Sequence, residues 1–156
     1  MSFRSRTLRP GISQTSEERV FIAVLRAADR FERQAAEMLK QYGLTPTQYN
    51  ALRILRGGEP GGLACREIGE RMISHDPDIT RLLDRLKRRG LISRRRERKD
   101  RRVIKTFITS AGLELLEVLD QPVENFHRQL LGHVSRKRLH SLVDDLRDAI
   151  LPMVRP

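Results

Sequence analysis

A basic stretch at residues 76–109 constrains the fold and the function more than any other part of the chain. From residue 81 to residue 105 it holds 13 Lys or Arg residues against 3 acidic residues. Its local net charge is therefore +10, whereas the whole 156-residue chain carries +11. A basic surface concentrated in this way is the electrostatic signature of a nucleic-acid-binding site. The alternative is a solvated basic face that binds nothing.

The same stretch has the pattern of a short helix followed by a β-hairpin. Asp76 can cap the helix, Pro77 suits its first turn, and Gly90 suits the left-handed residue that ends it. Residues 91–108 have the composition of two strands joined by a charged turn at residues 97–101. Apolar residues at helical spacing define the face that the helix buries: Ile79, Leu82, Leu83 and Leu86.

Helical periodicity before and after this stretch predicts further helices. A long helix is expected at residues 15–42, a second from Thr45 to the glycine-rich break at 57–62, and a short third at 66–72. Two more are expected at residues 110–132, with Pro122 inside, and 135–151. A helix, a tight turn and a second helix with a basic outer face form a helix-turn-helix, and the hairpin after it makes a winged helix. The fold class is therefore mainly α with a small β-hairpin wing.

The pattern also predicts how the chain is organised. Residues 1–14 form a flexible basic arm, residues 45–109 the DNA-binding winged helix, and residues 15–43 and 110–156 the helices around it, all within one structural domain. The flanking helices are more apolar than a globule of this size requires. We therefore expect them to pair with the same helices of a second subunit, giving a homodimer.

Composition excludes several other classes of protein. The sequence holds one cysteine, which permits no internal disulfide, and no apolar run of roughly 18 residues that would span a membrane. The N-terminal arginines precede no apolar segment of a secretory signal, so we expect a cytoplasmic protein without membrane partners. The basic helix also lacks the aromatic anchors of a membrane-surface helix.

Catalytic and metal-binding groups do not form a recognisable set. Four scattered His, one Cys and no glycine-rich phosphate loop predict neither an enzyme nor a cofactor. The spacing of His127, His133 and His140 is not that of metal ligands, so no metal is expected. Cys65 lies near a helix N-terminus, and redox sensing is one candidate role for it. A small buried side chain is the alternative role for Cys65.

Several motifs in this order resemble the MarR-type transcriptional regulators. They are LTPTQYNALRIL at residues 44–55, DITRLLDRL at 78–86 with GLI at 90–92, and DRR at 100–102 followed by ITSAG at 108–112. The resemblance extends over about residues 18–151, although Lys105 and Thr106 stand where the family usually has apolar residues or Arg. It implies a homodimer of winged helices that binds a short inverted repeat in double-stranded DNA. It often implies release by a small phenolic or aromatic acid.

Position within the helix and the hairpin divides the expected DNA contacts into groups. We expect base contacts from the recognition helix and its preceding turn, and phosphate or minor-groove contacts from the wing. The recognition-helix residues are Asp78, Thr80, Arg81 and Arg85, the turn residues Ser74 and His75, and the wing residues Arg98, Lys99 and Arg101. The resemblance implies that Asp84 pairs with Arg102, and Asp100 belongs with them as a support of the wing.

Two functional alternatives remain open on sequence grounds. We predict a sequence-specific regulator, acting as a repressor, and its rival is an architectural protein that binds any duplex through phosphates alone. The resemblance suggests an effector pocket between the dimer helices and the winged helix. Its expected lining, for which plain core packing is the alternative, is Phe31, Met38, Tyr42 and Tyr49.

Overall fold

Six helices and a three-stranded antiparallel sheet form within the residues that the computed structural model describes, 15–58, 60–74, 78–97 and 102–151. The predicted fold class is confirmed, and the predicted arm at residues 1–14 lies outside the described residues. The elements in chain order are α1 Ser16–Lys40, α2 Pro46–Arg56, β1 Leu63–Ala64, α3 Cys65–Arg71, α4 Ile79–Arg88, β2 Ile92–Arg96, β3 Ile104–Ile108, α5 Ser110–Leu131 and α6 Arg136–Ile150. Among the described helices, none combines the length and apolarity needed to cross a bilayer.

Threonine caps begin three of the helices as the sequence predicts. Thr15 accepts a hydrogen bond from the N–H of Glu18 at the start of α1. Thr45 and Gln48 form a reciprocal capping box at α2, with N–H to side-chain oxygen distances of 3.1 and 3.2 Å. Thr109 caps α5. Ser135 occupies the cap position of α6 without a side-chain hydrogen bond to the helix.

The cap of α4 differs from the sequence prediction. Asp78, in a non-helical conformation (φ −124°, ψ 45°), accepts the N–H of Arg81 at 3.4 Å, so the helix begins at Ile79. Asp76 and Pro77, which were expected to begin it, lie outside the described residues. Two aspartates two residues apart offer the same capping chemistry, and the sequence alone did not distinguish them. Gly90 takes the expected left-handed conformation after the helix, with φ +73°.

The sheet contains one strand more than the predicted hairpin. β3 is central and pairs with β2 on one side and with β1 on the other, in the register Leu63↔Thr106 and Arg94↔Thr106. β1 is two residues long and follows the glycine-rich break, so it leaves no alternating pattern in the sequence. Gly62 has φ +72°, and a Cβ atom there would lie 2.6 Å from the Phe107 ring. Glycine therefore lets the chain pass against β3.

The chain divides into two compact units, Met1–Gln34 and Ala35–Pro156. In the first, the described part of α1 exposes a run of large apolar side chains: Val20, Phe21, Val24 and Leu25. In the second, the core joins α2, α3, α4, α5 and the sheet, and its fully buried members include Leu52, Ile68, Leu83, Leu86 and Leu116. Every described residue of α6 stays at least partly exposed, Leu142 and Val143 among them.

Candidate nucleic-acid interface

Helix α4 presents its basic face outward because its other face belongs to the core. Leu82, Leu83 and Leu86 are at most 2% exposed. Thr80 and Arg85 lie on the exposed side, and the Arg81 side chain is 81% exposed. Burial of three leucines on one side leaves the helix only one face to offer a partner. The predicted recognition residues of α4 therefore lie together on that face.

The outward face of α4 forms an open concavity lined by four cationic side chains and one acid: Arg81, Asp84, Arg85, Lys87 and Arg88. Asp78, at the helix start, pairs with Arg81 at 3.1 Å. This surface attracts phosphate and also places guanidinium groups where they can meet base edges. We call it the basic face of α4.

The turn before α4 is anchored from inside the fold. The N–H of Ile73 donates to the side-chain oxygen of Asn50 on α2 at 2.9 Å. Ile73 is 86% exposed, and Ser74 beside it is exposed as well. His75, the second predicted turn residue, lies outside the described residues. Ile73 and Ser74 thus present their side chains to solvent, while the Ile73 N–H holds this part of the turn against α2.

An ion pair between α4 and β2 fixes the wing, by which we mean β2, β3 and the turn between them. Asp84 accepts from Arg94 at 2.7 Å, and only 15% of the Arg94 side chain is exposed. The structure thus gives Asp84 a partner different from the Arg102 that the resemblance implied. The reason is topological, because β2 follows α4 after one tight turn and brings Arg94 back alongside the helix. Arg102 lies exposed before β3 begins.

A second ion pair, between α3 and β3, was not predicted from the sequence. Glu67 accepts from the N–H of Ala64, at the start of α3, and from the ammonium of Lys105 on β3 at 3.0 Å. The hydrogen bond from the Ala64 N–H lowers the pKa of Glu67 below its usual range, and the hydrogen bond from Lys105 lowers it further. Both helices of the helix-turn-helix are therefore attached to the wing by a charged pair.

The described part of the wing carries its own cations. Arg95 and Arg96 are exposed on β2, and the Arg95 guanidinium lies 5.7 Å from the centre of the Phe107 ring. The other residues predicted for the wing lie outside the described residues: Arg98, Lys99, Asp100 and Arg101. The wing side of the candidate interface therefore begins on β2. The sequence analysis did not single out Arg95 and Arg96, although the run RRR at residues 94–96 was a signal for them.

Three of the four residues predicted to line an effector pocket are part of core packing. Met38, Tyr42 and Tyr49 are half-buried against the core of the second unit. Burial raises the pKa of the Tyr49 phenol, although Arg53 and Arg56 oppose that shift. Phe31 belongs to the first unit, where it is 37% exposed. Cys65 is half-buried at the start of α3, with its sulfur 4.0 Å from the Thr80 hydroxyl.

Comparison with known proteins decides the family. A family model described as "MarR family" matches residues 42–103. The chain is 38% identical to a MarR transcription factor from Planctomyces limnophilus, whose crystal structure it matches with a TM-score of 0.67 over 88% of this chain and 98% of that one. The chain belongs to the MarR family. The assignment made from sequence motifs is therefore confirmed, as is the expectation of a transcriptional regulator rather than an enzyme.

Two further similarities place this MarR-family chain among its relatives. It is 35% identical over 107 residues to the HTH-type transcriptional regulator TtmR of Methylorubrum extorquens, a match that spans 69% of this chain and about half (54%) of TtmR. The fold also matches that of MepR from S. aureus in a complex with DNA. That match has a TM-score of 0.75 at 20% identity and covers 89% of this chain and 99% of MepR.

The Asp84–Arg94 pair generates a prediction about stability. Asp84→Asn leaves a largely buried guanidinium without its carboxylate, and the Arg94 Nε atom already lacks a hydrogen-bond partner among the described residues. We expect the free energy of unfolding in urea to fall by about 1–3 kcal/mol. Glu124→Gln is the matched control, because it removes an acid from an exposed pair with Arg128. There we expect a change under ~1 kcal/mol. Equal losses in the two variants would contradict a wing-fixing role for Asp84.

Proposed function

We propose that this protein is a sequence-specific regulator that binds an inverted repeat in double-stranded DNA as a homodimer and represses transcription there. The observation that carries the proposal is the basic face of α4. Three fully buried leucines fix which side of the helix points outward, and Thr80, Arg81 and Arg85 lie on that side. An arginine on an outward helix can hold guanine O6 and N7 in bidentate fashion in the major groove.

The helix and the wing offer two different sets of DNA contacts, which supports sequence-specific binding over sequence-neutral binding. The α4 side chains sit on a rigid helix held by the core and by the Asp84–Arg94 pair. The wing cations Arg95 and Arg96 lie on a strand pair to one side, suited to phosphate or to the minor groove. Predicted wing contacts from Arg98, Lys99 and Arg101 belong to the same proposal. An architectural protein needs only the second set of contacts.

Unpartnered apolar surface supports the homodimer. On α6, the large side chains of Leu142, Val143 and Ile150 are each between 46% and 59% exposed. On α1, Phe21 is 63% and Leu25 53% exposed. Large apolar side chains exposed in this way on a long helix are typical of a protein–protein interface. A two-fold dimer would place two α4 helices on successive major grooves, about 34 Å apart.

Repression and its relief complete the proposal. A dimer seated on an inverted repeat that overlaps a promoter excludes the polymerase by occupancy. A small aromatic acid would relieve that repression if it bound better to a conformation with unsuitable spacing of the α4 helices. Met38, Tyr42 and Tyr49 of the second unit belong to the same proposal as part of the lining for such an acid.

Loss of a base contact and loss of a phosphate contact should change DNA affinity in different ways. Arg81→Ala removes a proposed base contact, so it should cost about 1–3 kcal/mol on an operator selected from random duplexes and little on scrambled DNA. Arg96→Ala removes a proposed phosphate contact, so it should weaken both duplexes and lower the salt slope by about one unit per wing. Arg128→Ala on α5 is the control, with no expected change on either duplex. Fluorescence anisotropy over a salt series measures all three variants.

The architectural alternative makes the opposite forecast for the same measurement. If Arg81→Ala lowers the affinity for operator and scrambled DNA equally, α4 contacts only phosphates and not bases. The same conclusion follows if no duplex selected from a random pool binds at least roughly 10³-fold more tightly than scrambled DNA.

Dimerisation through α6 is tested by two variants, each of which introduces one aspartate on a different face of the helix. Leu142→Asp places a carboxylate on the apolar face, where the isolated chain is exposed and tolerates it but a dimer would bury it unpaired. Light scattering at low micromolar concentration should give about twice the 18.1 kDa chain mass for the wild type and the chain mass for this variant. Lys137→Asp, on the opposite polar face, should remain dimeric. A wild-type protein that is folded and monomeric would refute the homodimer.

A further inference from the structure

An open concavity lies where the turn between α1 and α2 meets the C-terminal end of α4. It has a volume of about 580 Å³, and its lining is Gly43, Gln48, Arg85, Arg88 and Arg89. We call it the arginine pocket. It shares Arg85 and Arg88 with the basic face of α4, so the two surfaces are continuous. Unlike the basic face, which includes Asp84, the arginine pocket has no acidic side chain among the described residues that line it.

Backbone hydrogen bonds fix the turn that forms one wall of the arginine pocket. Helix α1 ends in a Schellman motif, in which the N–H of Leu44 donates to the Leu39 carbonyl at 3.2 Å. The N–H of Gly43 donates to the Lys40 carbonyl at 2.9 Å, and Gly43 is the left-handed residue of the motif, with φ +68°. Leu39 and Leu44 are both buried. The core beneath the turn therefore holds the Gly43 carbonyl in place.

Arg89 reaches from the end of α4 to that turn. Its Nη1 donates to the Gly43 carbonyl at 2.6 Å, and a Cβ atom at residue 43 would lie 3.3 Å from its Nη2. A guanidinium carries five N–H donors in a planar fork, so this bond orients the group and leaves other donors available. Arg89 is exposed. The fold thus holds a guanidinium at the surface in a defined orientation without neutralising its charge.

The two other arginines of the pocket are also available to an anion. Arg85 uses Nε to donate to the Arg81 carbonyl at 3.3 Å, which leaves both of its Nη atoms for a partner. Among the described residues, no acid forms an ion pair with Arg85, Arg88 or Arg89. The helix dipole favours cations in a last turn, but arginines at positions i, i+3 and i+4 repel one another. An anion in the pocket would relieve that repulsion.

We propose that the arginine pocket binds the phosphodiester backbone of DNA beside the major groove that α4 enters. Guanidinium groups bind phosphate oxygens through paired N–H donors, and such contacts position a protein on the duplex. DNA is favoured over a free anion because the pocket is continuous with the basic face of α4, so one duplex can occupy both surfaces. The choice of partner rests on the proposed function. The pocket adds the turn between α1 and α2 to the contacts expected from α4 and the wing.

Two alanine variants of the full chain test the pocket by fluorescence anisotropy on operator and scrambled duplexes over a salt series. Arg89→Ala and Arg88→Ala should each lower the salt slope by about one unit per pocket on both duplexes, because one phosphate contact is lost. At about 0.1 M salt, that slope corresponds to a loss of affinity of about eightfold per pocket. Arg138→Ala on α6 removes the same charge from an exposed position and should leave the salt slope unchanged.

Ethylation interference on the operator locates the contact on the DNA. In the wild type, ethylation of the phosphates that the pocket binds should prevent binding. In Arg89→Ala, ethylation of those phosphates should no longer matter, whereas interference at the phosphates contacted by the wing should remain. Arg96→Ala should show the reverse pattern, because Arg96 lies on β2 and Arg89 at the end of α4. Loss of the same phosphates in both variants would contradict a separate contact by the pocket.

Three further results would overturn the proposal. An Arg89→Ala salt slope equal to that of Arg138→Ala would exclude a phosphate contact. A loss of affinity in Arg89→Ala but not in Arg88→Ala would mean that Arg89 acts only through its bond to Gly43. Calorimetric binding of pyrophosphate to the DNA-free protein that Arg89→Ala removes, with no change in its DNA salt slope, would assign the pocket to a free anion. Each result leaves the preference for operator over scrambled DNA intact, whereas failure of the proposed function would abolish that preference.

Discussion

Burial of one leucine stripe on a ten-residue helix determines most of what this chain can do. Leu82, Leu83 and Leu86 each leave water almost completely, and each such burial is worth about 1.5–3 kcal/mol. Rotating α4 to hide its arginines would expose those leucines and bury charges, which costs several kcal/mol per unpaired ion. Burial of the leucines therefore forces the basic face of α4 to point outward. Its direction depends on the core beneath it rather than on any contact it makes with a partner.

Charged pairs then convert a helix and a hairpin into one rigid unit. Asp84–Arg94 joins α4 to β2, and Glu67–Lys105 joins α3 to β3. Each link places a cation of the wing against an acid of the helix-turn-helix. Since Arg94 is largely buried, its pair is worth more than an exposed pair and is more costly to break. We infer that the wing and α4 approach DNA with a fixed relation to each other.

The local sequence pattern predicted the helices and the hairpin, whereas tertiary contacts determined which strands and charged residues pair. The helical spacing of the leucines, the Thr45–Gln48 capping box and Gly90 as a stop all follow from rules that act over three or four residues. The two-residue strand β1 and the pairing of Asp84 with Arg94 depend on where the chain returns in space. No spacing rule specifies them.

Methylation protection of guanine N7 on a selected operator tests most directly whether α4 reads bases in the major groove. We expect two protected patches about 10 base pairs apart, one for each α4 of a two-fold dimer. Arg81→Ala should abolish the protection in both patches, and Arg96→Ala should leave it in place. Protection that is absent from the major groove, or spread evenly along any duplex, would contradict specific reading by α4.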